Sequence, residues 1–157
     1  MIGTGRRGPL VASLFGGAAR VAVGMLWLAE GVLKYRAGFG AADIELVVQS
    51  TGGNSRVPWW FEPLGAFMGA ASGLFGVVIP ALEVLLGLML VAGVFSRLTA
   101  FASIGTLMLY WSSDQLIAQY PVMVLLSALV LASPVAGRFG VDGRWRRRAA
   151  APDRAVE

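Results

Sequence analysis

Glu83 is the residue from which any chemistry in this chain has to be built. It is the only ionisable side chain between Gly73 and Phe95, and a carboxylate at that depth in a bilayer costs about 2.5 to 3.5 kcal/mol on insertion scales unless it is paired or neutralised. Gly76, Pro80, Glu83 and Gly87 are spaced 4, 3, 4. A helix puts them on one face, and small residues mark faces that touch other helices, so Glu83 is predicted to point at protein. The cations that can offset it are Arg20 and Lys34, which lie with Gly17, Gly24, Trp27 and Gly31 on one stripe of alternating 3 and 4 spacing. At about 1.5 Å per residue, Arg20 lies roughly 22 Å and Glu83 roughly 16 Å below the outer ends of their helices. A flexible Arg bridges that difference, which makes an Arg20–Glu83 ion pair the expected partnership. Glu30 precedes Lys34 by four residues, the favourable order for a helical ion pair that neutralises itself near a membrane surface.

Residue types around these charges suit binding of a polar headgroup. Thr99, Ser103, Thr106, Tyr110 and Ser113 follow a 4, 3, 4, 3 spacing that stacks five hydroxyls on one helical face. Hydroxyls so placed either bond their own backbone or complete a polar interior. The run Pro58-Trp59-Trp60-Phe61-Glu62-Pro63 suits the headgroup layer, and paired Trp rings also stack on a flat ligand. Arg20, Lys34, Trp59, Trp60, Glu83 and Tyr110 are therefore the candidate polar-core or ligand site, with catalytic roles unassigned. A buried ion pair that only fixes helix register is the competing account of Arg20 and Glu83.

The elements that position these residues follow from composition. With 57% hydrophobic and 14% charged residues and a mean hydropathy of +0.71, the 157 residues fall outside the soluble globular range. They read as an all-α integral membrane four-helix bundle, with a short extracytoplasmic helical connection between spans one and two. The spans are expected at about 13–35, 73–95, 98–113 and 121–136, with the outer connection at 36–72. Residues 1–12 form a cytoplasmic flank rather than a signal peptide, 13–143 the membrane domain, and 144–157 a basic disordered tail. Within the connection, Ile44, Val47 and Val48 predict a short helix ended by Gly52-Gly53-Asn54, and Gly65, Gly69 and Gly73 a small-residue ladder packed on the bundle. A hairpin turn is expected at Ser96-Arg97, and Pro121 as the first residue of the last helix.

Charge asymmetry sets the orientation. Arg6, Arg7, Arg97, Arg138, Arg144, Arg146, Arg147, Arg148 and Arg154 fall on one side of this arrangement, against Lys34, Arg36 and Arg56 on the other. The positive-inside rule then places both termini in the cytoplasm. Arg97, Arg144, Arg146, Arg147 and Arg148 are expected to contact anionic lipid, which accounts for the basic balance without nucleic acid. Cys and His are absent, which excludes disulfides, thiol redox chemistry, the usual zinc sites and His- or Cys-ligated haem. No metal site is expected, and the six scattered Met residues suit gap filling.

Arg20-xxx-Gly24, Gly31-xx-Lys34, Glu83-xxx-Gly87-Leu88, Gly93, Arg97 and Gly140-Val-Asp142 together resemble the DoxX/DoxD family of small bacterial membrane proteins, over residues 15–143. The resemblance implies a four-helix membrane bundle in the bacterial cytoplasmic membrane. Some members of that family are subunits of thiosulfate:quinone oxidoreductase, and others are linked to membrane-associated oxidoreductase complexes. The leading expectation is an accessory or anchoring subunit of a membrane-bound redox complex, its partners being the bilayer and other subunits. The alternative is a quinone-linked oxidoreductase subunit with its own quinone site, a quinone being the one cofactor open to it. A small transporter is the weaker third, since no inverted repeat is visible.

Overall fold

The computed structural model describes residues 7–150, with side chains from Val11 onward. Arg6, Arg154 and the expected tail beyond residue 150 lie outside the described residues. The described chain is all-α: α1 (Arg7–Ala37), α2 (Ala41–Thr51), α3 (Phe61–Ala70), α4 (Ser72–Ala92), α5 (Ser96–Ser112), α6 (Tyr120–Ala132) and α7 (Val141–Ala149). Among the described residues two helices are long and apolar enough to cross a membrane, over Val11–Ala37 and Ser72–Ala92. Of the two shorter helices, α5 matches the expected 98–113 in length and α6 falls short of the expected 121–136. α5 has 17 residues and α6 only 13, because Ser133 and Pro134 break the helix well before Ala136.

Small residues decide how α1 meets α4. A Cβ on Gly24 would fall 3.0 Å from the Gly87 carbonyl oxygen, and one on Gly31 would fall 3.0 Å from the Pro80 carbonyl oxygen. The two backbones therefore run antiparallel in direct contact, as glycine stripes permit. Gly76 does the same against the Gly40-Ala41 backbone at the start of α2. Gly17 meets only the Phe139 side chain at ordinary distance, whereas Gly16, outside the predicted stripe, sits tightly against Ser133 and Ala136. The Gly65, Gly69, Gly73 ladder does not pack as a unit. Gly69 touches Val48 of α2, while Gly73 has nothing near it.

α2 and its Gly52-Gly53 end lie where the 3 and 4 spacing put them. The turn between α4 and α5 lies at 93–95, ahead of the expected Ser96-Arg97. Gly93 ends α4 in the left-handed conformation, and the Asp142 carboxylate accepts from the Phe95 and Ser96 backbone N–H groups, both at 2.8 Å. A carboxylate on the first free N–H groups of a helix fixes its start, here from a distant part of the chain. Residues 144–149 are also not a disordered tail: they belong to α7, whose Trp145 packs edge-on against Phe95 at 5.7 Å.

The surface is apolar around the bundle. Val77, Leu85 and Leu88 of α4, Leu98 and Phe101 of α5, and Leu125 and Leu129 of α6 are all exposed, while Arg20, Glu83, Ser103 and Ser127 are buried. One end of the bundle carries the 93–95 turn and α7. The other carries α2, α3 and the 113–119 connector, joined by an Arg56–Asp114 ion pair at 3.0 Å.

Candidate functional site

At the end near α2 and α3, four helices each contribute to one cluster. α1 supplies Glu30 and Lys34, one turn apart. α4 supplies Glu83 from the face it shares with Gly76, Pro80 and Gly87, all buried. α5 supplies Tyr110, and the entry to α6 supplies Gln119 and Tyr120. Lys34 Nζ lies 2.5 Å from Glu83 Oε1 and 3.3 Å from Glu30 Oε2. The Tyr110 hydroxyl donates to the same Glu83 oxygen at 2.6 Å, and Gln119 Nε2 donates to Glu30 Oε1. Glu83 Oε2 and the Tyr120 hydroxyl are buried and make no hydrogen bond. Beneath this layer Trp27 Nε1 donates to Ser103 Oγ at 2.7 Å, and Ser103 meets Ser127 at 2.8 Å.

Next to the cluster lies a cavity of about 170 Å³. Lys34, Tyr110 and Gln115 bring polar groups to it, and Phe39, Phe61 and Phe75 wall it with aromatic surface. Val78, Leu82 and Leu109 also line it and are exposed on the apolar outer surface. The cavity thus runs from the charged cluster toward the α4 and α5 surface. Lys34 sits over the rings of Phe39 at 5.9 Å and Tyr110 at 5.4 Å, so its ammonium is held by π faces as well as by carboxylates.

The Arg20–Glu83 pair is not made. Arg20 instead donates from Nε to the Ala136 carbonyl at 3.2 Å, and from Nη1 to the Leu90 carbonyl and to the Val91 carbonyl at 2.9 Å. The reason is register. The Gly24–Gly87, Gly87–Leu28 and Gly31–Val84 contacts set Glu83 level with the Leu28 to Gly31 turn, roughly two to three helical turns from Arg20. Depth measured from assumed helix ends cannot supply that register. Arg20 is enclosed, with no buried guanidinium nitrogen lacking a partner, and the carbonyls it binds include those of Leu90 and Val91 in the last turn of α4, where helical partners run out.

Trp59 and Trp60 do not reach the site either. They precede α3 and lie 86% and 42% exposed, and the ring that enters the cavity wall is Phe61. Phe61, Gly65 and Met68 are the buried face of α3, so the first residue inside the helix, not the bulkier pair before it, is turned inward. The hydroxyl stripe divides. Thr99, Thr106 and Ser113 bond backbone carbonyls of their own chain segment, while Ser103 and Tyr110 reach other helices. Arg97 donates to the Leu131 carbonyl at 3.0 Å, Arg146 to that of Pro134 and Arg147 to that of Arg138. Gln119, Tyr120, Phe39 and Phe61 join the site without a signal in spacing. Only the polarity of Gln119 ahead of an apolar helix marks it.

Comparison with protein-family models, with curated proteins and with solved structures finds no match to this chain.

Proposed function

We propose that this protein is a DoxX-like membrane subunit of a redox complex, and that the cavity beside Lys34, Glu83 and Tyr110 binds a quinone-type headgroup. In this reading α1, α4, α5 and α6 cross the bacterial cytoplasmic membrane, with both termini on the side of α7 and its arginines. The enclosed charges and outward apolar side chains of the bundle support a lipid surround. The short α6 then spans together with the turn that follows it.

The observation that carries the proposal is the junction of a ring-sized cavity with two donors, half-buried Lys34 and buried Tyr110. An apolar cavity of about 150 Å³ accommodates a single benzene ring, and the volume here is about 170 Å³. A quinone headgroup presents two acceptor oxygens on a flat ring. Lys34 Nζ and the Tyr110 hydroxyl are donors at the cavity wall, and the phenyl rings of Phe39, Phe61 and Phe75 supply stacking surface. A bound quinone would supply the electron chemistry. This chain's residues bind the ring, orient it through Lys34 and Tyr110, and exclude water with the α2 and α3 side chains. The simple anchoring role stays as the second reading, favoured by the Arg20 and Asp142 contacts, which tie distant backbone segments together.

Binding of a short-chain quinone to the purified full chain tests the proposal. Tyr110→Phe, which removes one donor, is expected to weaken binding about tenfold, and Trp60→Ala to leave it unchanged. Equal affinity in wild type and Tyr110→Phe, or no quinone binding at all, would return the protein to a purely anchoring role.

A further inference from the structure

Two carboxylates share one ammonium at the contact of α1 with α4. With Glu30, Lys34 and Glu83 all ionised, the cluster carries one uncompensated negative charge around a Glu83 that is 0% exposed. An uncompensated charge in such surroundings is relieved by neutralisation. The titratable groups facing Glu83 are Glu30 and Lys34 from α1, Tyr110 from α5 and Tyr120 from α6. From α2 and α3 only apolar side chains, among them Ile44, Phe61 and Met68, reach the cavity wall. None of these is a second cation. A metal ion has no room between the carboxylates, because Lys34 Nζ already sits there.

Counting lone pairs locates the missing proton. Both oxygens of Glu30 accept hydrogen bonds, one from Gln119 and one from Lys34. Glu83 Oε1 accepts from both Lys34 and Tyr110. A proton on Glu83 Oε1 displaces a donor, whereas each Glu30 oxygen keeps a free lone pair but belongs to a side chain still 12% exposed, where the anion is better solvated. Glu83 Oε2 is buried with no partner, so it takes a proton while Oε1, now the carbonyl oxygen, keeps both of its donors.

We propose that Glu83 Oε2 holds one exchangeable proton, making the cluster behind the cavity wall of Lys34 and Tyr110 a proton-binding site, and that the cavity's ligand binds the protonated form in preference to the ionised one. The preference follows from competition for donors. An acceptor oxygen in the cavity draws Lys34 or Tyr110 away from Glu83 and weakens the ionised carboxylate most, so ligand and proton reinforce each other. The linkage rests on the ring-binding reading above; the proton site does not.

Infrared difference spectra of the full chain in detergent, titrated against pH, read the proton directly. Wild type is expected to show a carboxylic-acid carbonyl band that disappears as pH rises. Glu83→Gln abolishes it, and Glu30→Gln, which removes the excess charge, moves its loss to lower pH. A band that survives Glu83→Gln, an unmoved midpoint in Glu30→Gln, or no titrating band in wild type overturns the proton site. Should Glu83→Gln fail to fold, Tyr110→Phe decides: it removes a donor from Oε1 and must shift the band frequency, and an unshifted band overturns the assignment. Affinity for decylubiquinone is expected to fall with rising pH, at most about tenfold per pH unit for one linked proton. Binding independent of pH overturns the linkage. Absence of binding at every pH overturns the ligand reading and the linkage with it, while the band decides the proton site alone.

Discussion

The two ends of the bundle each enclose a charge, and they resolve it differently. Arg20 and Glu83 are equally buried, at 3% and 0% exposure, so burial does not tell them apart. Arg20 distributes its donors over the carbonyls of Leu90, Val91 and Ala136, and nearby Asp142 takes the first N–H groups of α5. Close by, Gly140 fits against Gly93 so tightly that a Cβ on either would fall 2.8 Å from the other's Cα. That end is backbone held by side chains, and the cavity there, lined by Phe95, Ser96, Arg97, Asp142 and Trp145, does not include Arg20. At the other end two carboxylates compete for one lysine, an oxygen and a hydroxyl stay unpaired, and a cavity lies alongside. The lesson is that completeness of hydrogen bonding at the charged group itself, not depth, separates a structural charge from a candidate site, since Ser96 Oγ is also buried and unpaired at the Arg20 end.

The strongest way to break this contrast is at Arg20. Arg20→Met strands buried carbonyls in two segments and is expected to cost about 2 to 5 kcal/mol, at about 1 to 3 kcal/mol per unpaired buried acceptor. Thermal melting in detergent measures it. Normal stability with lost quinone binding would make Arg20 a site residue after all.

Double-mutant cycles sharpen the contrast next. Lys34→Met and Glu83→Gln are expected to be coupled by about 1 to 3 kcal/mol, because each removes the other's partner. Arg20→Met and Glu83→Gln, with no shared partner, should add within about 0.5 kcal/mol. Coupling between Arg20 and Glu83 as large as that between Lys34 and Glu83 would restore the pairing the structure replaces.

Smaller effects are expected from single hydrogen bonds. Asp142→Asn weakens the cap on α5 and should lower stability by about 1 kcal/mol without changing quinone affinity. Tyr110→Phe should cost about 1 kcal/mol or less in melting yet lower quinone affinity. A ligand effect in Asp142→Asn larger than in Tyr110→Phe would invert the assignment of the two ends.

Helical periodicity by itself determined which faces are buried. The buried set Gly76, Pro80, Glu83 and Gly87, the close-packed Gly24 and Gly31, the helix at Ala41–Thr51 and the buried hydroxyls of α5 all follow from 3 and 4 spacing, because a helix fixes the direction of each side chain about its own axis. Axial register between helices is a different quantity. It depends on which small residues of α1 and α4 find each other, and it gave Glu83 to Lys34 and left Arg20 to the carbonyls. Phe61 rather than Trp60 entered the cavity because the start of α3 fixed the rotation of that segment. Asp142 capped α5 across 46 residues, and Gln119 reached Glu30 across 89. Such contacts leave no period in the sequence; they exist only once four helices have been set side by side, which is why tertiary structure alone decided where the charges meet.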